Sequence, residues 1–162
     1  MAKVGQQTEY NAAISGLGAI KEYKNDTHFD NESALCDFLE TNLARFCEER
    51  LGGKLVSYKR EFSLEKTFIS RRGYSSGRAR RVDFMVELAN GQRAFIECKG
   101  VAGNATLAIS QLLGYSIMSK ADRLVIVAST YDDLVYNIVE RYKLPIEVYF
   151  FSKNYTLHIN AQ

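Results

Sequence analysis

The chain has 162 residues, enough for one domain whose core needs neither disulfides nor metal ions to hold it together. Charged residues make up 25% of it, and the net charge of +2 does not by itself indicate a nucleic-acid-binding protein. Three cysteines without a C-x-x-C spacing argue against a disulfide framework or a zinc site and favour an intracellular location. No apolar run approaches the ~20 residues that a membrane span needs, so no membrane partner is expected.

Residues 1–29 show no clear periodicity and are predicted to be an N-terminal extension whose structure the sequence does not define. Residues 30–162 are predicted to form one domain. It begins with a helix in DNESALCDFLETNLARFCEERLGG, with Asp30 or Asn31 as N-cap and a glycine pair at its end. Its apolar stripe consists of Leu35, Cys36, Leu39, Leu43, Phe46 and Cys47. Glu32 lies on the same stripe and is therefore expected to point inward.

The rest of the chain alternates between strand and helix patterns. KLVSYKREFSLE predicts a strand, and KTFISRRGYSSGRARR either a mobile basic loop or an extension of that strand. Residues 82–99 predict a β-hairpin that turns at Asn90-Gly91. ATLAISQLLGYSIMSK predicts a helix with Asn104 as N-cap, followed by strand RLVIVAS, helix YDDLVYNIVERYK and strand IEVYFFS. The order αβββαβαβ predicts an α/β fold, in which a mixed central sheet with parallel crossovers is flanked by helices.

The hairpin can adopt two registers. A two-residue turn would pair Asp83 with Cys98, whereas a three-residue loop, Ala89–Gly91 with Gly91 in the left-handed conformation, pairs Asp83 with Glu97. The three-residue loop is favoured because it also pairs Glu87 with Arg93. It gathers one apolar face as well, formed by Val82, Phe84, Val86 and Leu88 against Cys98, Ile96 and Ala94.

This register places two carboxylates opposite each other in a half-buried position, where they repel unless one holds a proton or a cation lies between them. Oxygen ligands of this kind suit Mg²⁺ or Mn²⁺. Lys99 projects from the same face as Glu97, and an ammonium beside a metal site is suited to a phosphate ester. The alternative is a salt-bridge network of Asp83, Glu97 and Lys99 at the end of a sheet.

These residues match a known pattern. A helix with an inward Glu, then VD, a hairpin, ECK and a helix carrying QLLGY resembles the PD-(D/E)XK nuclease superfamily. Gln111 and Tyr115 match the Q-x-x-x-Y motif of its RecB-like branch, and the likeness is to small archaeal endonucleases of the Holliday-junction-resolvase type and to viral nucleases. Val82 stands at the position of the motif's proline. The resemblance covers roughly residues 30–150 and implies a restriction-endonuclease-like fold.

The resemblance also implies a role for each of these residues. Asp83 and Glu97 would coordinate Mg²⁺ or Mn²⁺ with the backbone carbonyl of Cys98, and Glu32 would complete the metal shell directly or through water. Lys99 would activate the attacking water. Gln111 and Tyr115, one turn apart on their helix, would orient Lys99 or a DNA phosphate.

A basic stretch precedes the hairpin and contains no acidic residue: Arg71, Arg72, Arg78, Arg80 and Arg81. It is interpreted as a phosphate-binding loop that holds DNA near the metal, the alternative being a solvated loop without a ligand. The sequence therefore predicts a metal-dependent deoxyribonuclease, with an endonuclease acting on duplex or branched DNA as the leading form. A homodimer is a further expectation. The alternative function is a non-catalytic nucleic-acid-binding protein, or a subunit of a complex, that keeps the nuclease fold.

Overall fold

The computed structural model describes Phe29 and residues 31–64, 80–100, 105–129 and 133–151. Its five strands form one mixed sheet in the order β1-β2-β3-β4-β5. They are β1 (Leu55–Ser63), β2 (Arg81–Leu88), β3 (Arg93–Lys99), β4 (Arg123–Ala128) and β5 (Ile146–Phe150). Strands β1, β2 and β3 pair antiparallel, whereas β3, β4 and β5 pair parallel. Helical crossovers join the parallel strands, as parallel pairing requires. The predicted α/β fold and its mixed sheet are confirmed.

Within the described ranges, four helices accompany the sheet: α1 (Glu32–Thr41), α2 (Leu43–Phe46), α3 (Ala105–Met118) and α4 (Asp133–Arg141). Helix α1 begins where predicted, because the side chain of Asn31 accepts a hydrogen bond from the Ala34 N–H at 2.8 Å. The single long helix that was predicted is instead interrupted at Asn42. Asn42 departs from helical angles, with φ of −107° and ψ of 12°, and its side-chain amide and its backbone N–H both donate to the Phe38 carbonyl. A π-helical turn, Cys47–Leu51, then leads to Gly52 in the left-handed conformation.

Each face of the sheet has its own apolar core. Helices α1 and α2 cover one face, where the predicted stripe of α1 packs on Phe84, Val86, Ile96 and Cys98. Helices α3 and α4 cover the other, with Leu112 and Val135 against Phe95 and Ile126. The central strands β3 and β4 are buried on both sides, as in sheets that helices cover on both faces.

The predicted three-residue loop sets the hairpin register. Met85 pairs with Phe95 and Glu87 with Arg93, and the Leu88 N–H donates to the Gln92 carbonyl at 2.9 Å. Gly91 has φ of 83°, the left-handed conformation that glycine adopts without strain. The Glu87–Arg93 ion pair forms at 3.1 Å.

The alternation of the hairpin breaks at its open end. The β2–β3 pairing ends at Phe84–Ile96, one step before Asp83 and Glu97. Val82 packs in the core on the α3 side and not, as predicted, in the apolar face with Phe84. The strands separate here because the side chain of Asp83, rather than a backbone carbonyl of β2, accepts the hydrogen bond from the Cys98 N–H.

Several predictions fall on residues outside the described ranges: the 1–29 extension except Phe29, Asp30 as an N-cap, most of the basic loop, and Asn104. Within the ranges that are described, no helix is both long and apolar enough to cross a membrane.

Candidate active site

The predicted site residues lie at one end of the sheet, where β3 and β4 both have their carboxyl ends. Ligands commonly bind at the carboxyl ends of parallel strands. The start of β2 contributes Asp83, the end of β3 contributes Glu97 and Lys99, and the first turn of α1 contributes Glu32. Helix α3 packs against β3 and β4 and carries Gln111 and Tyr115. Five elements therefore meet at this end of the sheet.

Glu97 is a buried carboxyl group in an unfavourable environment. It is only 2% exposed, and its Oε1 has no hydrogen-bond partner among the described residues. Burial and the neighbouring charge of Asp83 raise the pKa of Glu97 to about 8, although Lys99 acts in the opposite direction. In the metal-free protein at neutral pH, Glu97 therefore tends to hold a proton.

Asp83 is fixed by the backbone of the neighbouring strand. Its Oδ2 accepts a hydrogen bond from the Cys98 N–H at 2.8 Å. Because this bond takes the place of a backbone pair at the end of the hairpin, the carboxyl group of Asp83 is held beside β3 and near Glu97. The close approach of two acids that the sequence predicted is therefore present, one step beyond the last regular strand pair.

Lys99 lies between two acids. Its Nζ is 3.6 Å from Oε2 of Glu97 and 3.8 Å from Oε1 of Glu32, and the residue is only 6% exposed. Burial raises the pKa of Glu32, with Lys99 lowering it and Asp83 raising it. The Glu32 side chain is half-exposed and reaches the ammonium group of Lys99, while its predicted role at the metal stays a prediction.

Gly100 explains how helix α1 comes so close to the end of β3. A Cβ atom at Gly100 would lie 2.5 Å from the backbone nitrogen of Glu32, so only glycine fits this approach. The following backbone is fixed by β4, since the Ser129 hydroxyl donates to the Gly100 carbonyl at 2.5 Å and the Ser129 N–H donates to the Lys99 carbonyl at 3.1 Å. These contacts hold Lys99 and Glu32 in position.

Helix α3 carries the two polar side chains that the sequence predicted for the site, and Tyr115 is the one whose charged neighbours include Glu97 and Asp83. Tyr115 is buried, and burial together with the charges of Glu97 and Asp83 raises its pKa to about 12, while Arg80 acts in the opposite direction. Its hydroxyl therefore stays protonated and can donate a hydrogen bond. Gln111 has a buried Oε1 without a hydrogen-bond partner in the described part of the chain. Tyr115 packs in the core between α3 and the sheet, and the predicted role of both residues in orienting Lys99 or a phosphate stays a prediction.

The basic stretch is only partly described. The guanidinium of Arg80 lies against α3, where a Cβ atom at Gly114 would be 3.2 Å from its Nη1. Arg81 is exposed and lies 4.0 Å from the exposed Glu61. Arg71, Arg72 and Arg78 lie outside the described residues.

The residues present fit a hard divalent cation. Two neighbouring carboxyl groups, one with an orphaned buried oxygen, need either a proton or a cation to relieve their repulsion. Glu32 is directed to Lys99, which agrees better with a contact to the metal through water than with direct coordination. The Cys98 side chain is buried in the α1-side core, as predicted, and its backbone carbonyl as a ligand stays a prediction.

Sequence reasoning missed two features near the site. Sγ of Cys36, Sγ of Cys98 and a carboxylate oxygen of Asp83 lie within 4.8 Å of one another. Both cysteines were expected on the same apolar face, but nothing in the sequence indicated that they meet. The second feature is structural: Arg60 of β1 pairs with Asp37 at 2.6 Å and with Glu40 at 2.7 Å, which ties the edge strand to α1.

Comparisons with known proteins give a limited result. No family model matches the chain, and no curated protein matches it. Among solved structures, the chain is similar to one described as the crystal structure of a repair endonuclease from Pyrococcus abyssi, with 15% identity and a TM-score of 0.42. The match covers 69% of this chain and 46% of that one, so this chain spans about half the length of the structure it matches. The site geometry, not this likeness, carries the proposals below.

Proposed function

We propose that the protein is a metal-dependent nuclease that hydrolyses DNA phosphodiester bonds at the site of Asp83, Glu97 and Lys99. The observation that carries this proposal is Glu97, a buried carboxyl group with an orphaned oxygen that lies beside a second acid and an ammonium group. A salt-bridge network would satisfy its acceptors, because buried polar groups without partners are costly. A hard cation would supply the missing partner in place of the proton that Glu97 tends to hold without metal.

Mg²⁺ or Mn²⁺ would be held by Asp83, Glu97 and the Cys98 carbonyl, with Glu32 reaching it through water. When bound, the cation would lower the pKa of a water molecule and offset negative charge on the phosphate.

The chain's own groups would do the remaining work. The Lys99 ammonium, held by Glu97 and Glu32, would orient the attacking water and offset charge that develops on the phosphate oxygens. The protonated Tyr115 hydroxyl and the Gln111 amide would donate hydrogen bonds that position Lys99 or a phosphate. Arg80 and Arg81, together with the other arginines of the basic stretch, would contact the DNA backbone. We place the enzyme among endonucleases that act on duplex or branched DNA.

The test is cleavage of labelled linear, branched, mismatched and single-stranded DNA with Mg²⁺ and with EDTA. We expect the wild type to cut at least one of these substrates only with Mg²⁺, and Glu97→Gln to lose cleavage while keeping DNA binding, because phosphate contacts elsewhere supply most of the affinity. Glu87→Ala is the matched control, since Glu87 is an acid that pairs with Arg93 at the far end of the hairpin.

Cleavage retained by folded Glu97→Gln would refute the site. Salt-sensitive binding without cleavage of any substrate by the wild type would instead support a non-catalytic DNA-binding protein. The expected homodimer is measured separately by sedimentation of the full chain.

A further inference from the structure

A group of potential soft ligands lies next to Asp83, on the side of β3 that faces α1. Cys36 is on the buried stripe of α1, and Cys98 is on β3 between Glu97 and Lys99. Their Sγ atoms and a carboxylate oxygen of Asp83 all lie within 4.8 Å of one another. Cys98 is fully buried and Cys36 is 6% exposed, whereas Asp83 is half-buried.

The three atoms are close to the arrangement that a tetrahedral cation requires. With metal–sulfur bonds of about 2.3 Å, two ligands of a tetrahedral Zn²⁺ ion are separated by about 3.8 Å. The observed spread of up to 4.8 Å therefore exceeds this separation by about 1 Å at most.

The backbone already positions this group. The Cys98 N–H donates a hydrogen bond of 2.8 Å to the Asp83 carboxylate. This bond fixes Asp83 to β3, the strand that carries Cys98. Cys36 is fixed by its packing in the α1-side core. Two sulfurs and one oxygen are ligands that Zn²⁺ and similar thiophilic cations prefer over Mg²⁺.

We propose that Cys36, Cys98 and Asp83 form a binding site for a soft divalent cation such as Zn²⁺ or Cd²⁺, with a fourth position open to water. On binding, each thiol releases its proton to solvent and forms a sulfur–metal bond, and no redox step is involved. Because Asp83 also faces Glu97, this cation removes one carboxylate from the proposed magnesium site. Loss of this carboxylate should inhibit cleavage. That inhibition rests on the proposed function, whereas the soft-cation site itself does not.

The experiment is titration of the metal-free full-length protein with Cd²⁺, followed by equilibrium dialysis and by the ultraviolet thiolate-to-cadmium absorption band. Cadmium bound only by carboxylates gives no such band, so the signal reports the thiols. We expect the wild type to bind one equivalent of Cd²⁺ and to show the absorption band. Cys36→Ala should bind Cd²⁺ at least about tenfold more weakly. Cys36→Ser preserves the volume of the side chain if Cys36→Ala does not fold.

Cys47→Ala is the matched control, because Cys47 is a fully buried cysteine of the same core that lies outside the group. It should bind Cd²⁺ as the wild type does. Absence of the band in the wild type, or equal binding by folded Cys36→Ser, would overturn the site, and so would loss of the band in Cys47→Ala.

A second arm adds Cd²⁺ to the Mg²⁺-dependent cleavage reaction. We expect inhibition of the wild type and of Cys47→Ala, and cleavage by Cys36→Ser that resists Cd²⁺. If no variant cleaves DNA at all, the proposed function fails, while the dialysis and absorption results still decide the cation site. Equal inhibition of Cys36→Ser would refute the competition for Asp83.

Discussion

Glu97 destabilises the metal-free protein when it is ionised. Its pKa is raised from an ordinary 4.5 to about 8 in the folded state, mainly by burial. The folded protein therefore keeps a proton that the unfolded chain releases as the pH rises through this window. Binding of this proton stabilises the folded state. The stabilisation is fully present below pH 4.5 and is lost as the pH rises to about 8.

Glu97→Gln should abolish the loss of stability that accompanies rising pH. Without metal, the free energy of unfolding of the wild type should fall between pH 5 and pH 8 by up to about 1.4 kcal/mol per pH unit for this one proton. The variant cannot titrate at this position, so its curve should be flatter and it should be the more stable protein at high pH. Urea unfolding in EDTA across this range measures both curves. A large loss of stability in Glu97→Gln at every pH would mean that Glu97 serves mainly as a structural partner of Lys99.

The junction between α1 and β3 depends on one residue without a side chain. Gly100→Ala would place a Cβ atom within 2.5 to 2.7 Å of the backbone around Glu32, and backbone cannot move aside as a flexible side chain can. We expect a loss of stability of about 2 kcal/mol and weaker DNA cleavage, because α1 must shift and carry Glu32 away from Lys99.

The matched control is Gly91→Ala in the hairpin turn. A Cβ atom there meets nothing within 4 Å, but φ of 83° is strained for alanine. This variant should cost about 1 kcal/mol and leave cleavage unchanged, because the turn lies at the opposite end of the sheet. Urea unfolding and a cleavage assay compare the two variants. Wild-type stability and cleavage in Gly100→Ala would show that α1 is not held by this contact.

The contrast between α1 and the hairpin also shows what a sequence can predict about elements. The hairpin register followed from signals within about twenty residues, namely the turn at Asn90-Gly91 and the Glu87–Arg93 pair. The interruption at Asn42 was missed because an apolar stripe continues through it, whereas the backbone of Asn42 departs from helical angles, with φ of −107° and ψ of 12°. The spacing of apolar residues indicates which face of a helix is buried, but it does not indicate whether the helix is continuous.

Contacts between distant elements were the least predictable part of the site. The sequence predicted that Asp83, Glu97 and Lys99 share one end of the sheet, and the structure brings them together there, while their catalytic roles stay predictions. The approach of Cys36 to Cys98 was not predicted, since they are 62 positions apart. It depends on how closely α1 packs on β3, which Gly100 permits.

At the scale of the whole molecule, the charge is nearly balanced but unevenly placed. Arg80 and Arg81 extend the basic stretch to the end of the sheet that carries the site. If these residues contact phosphates, replacing both with Ala should weaken DNA binding similarly for all sequences. It should also lower the slope of log affinity against log salt by about one unit per lost contact.

The matched control is the double variant Lys54→Ala and Lys120→Ala. This variant removes the same amount of charge near the hairpin turn, at the other end of the sheet. This pair should change the slope little. Fluorescence anisotropy at several salt concentrations measures both double variants. An unchanged slope in the Arg80 and Arg81 variant would remove the basic stretch from the proposed DNA-binding surface.

A short turn joins β2 to β3, so these strands can pair early in folding, before the parallel strands whose crossovers close longer segments of chain. We therefore expect Asp83 and Glu97 to approach each other through the hairpin while both are still hydrated. Glu32 and Tyr115 join them only when α1 and α3 dock on the sheet. Removing water from Glu97 thus opposes the late docking of the helices and not the closure of the hairpin, so the step that encloses the site is the one that bears the electrostatic cost of forming it.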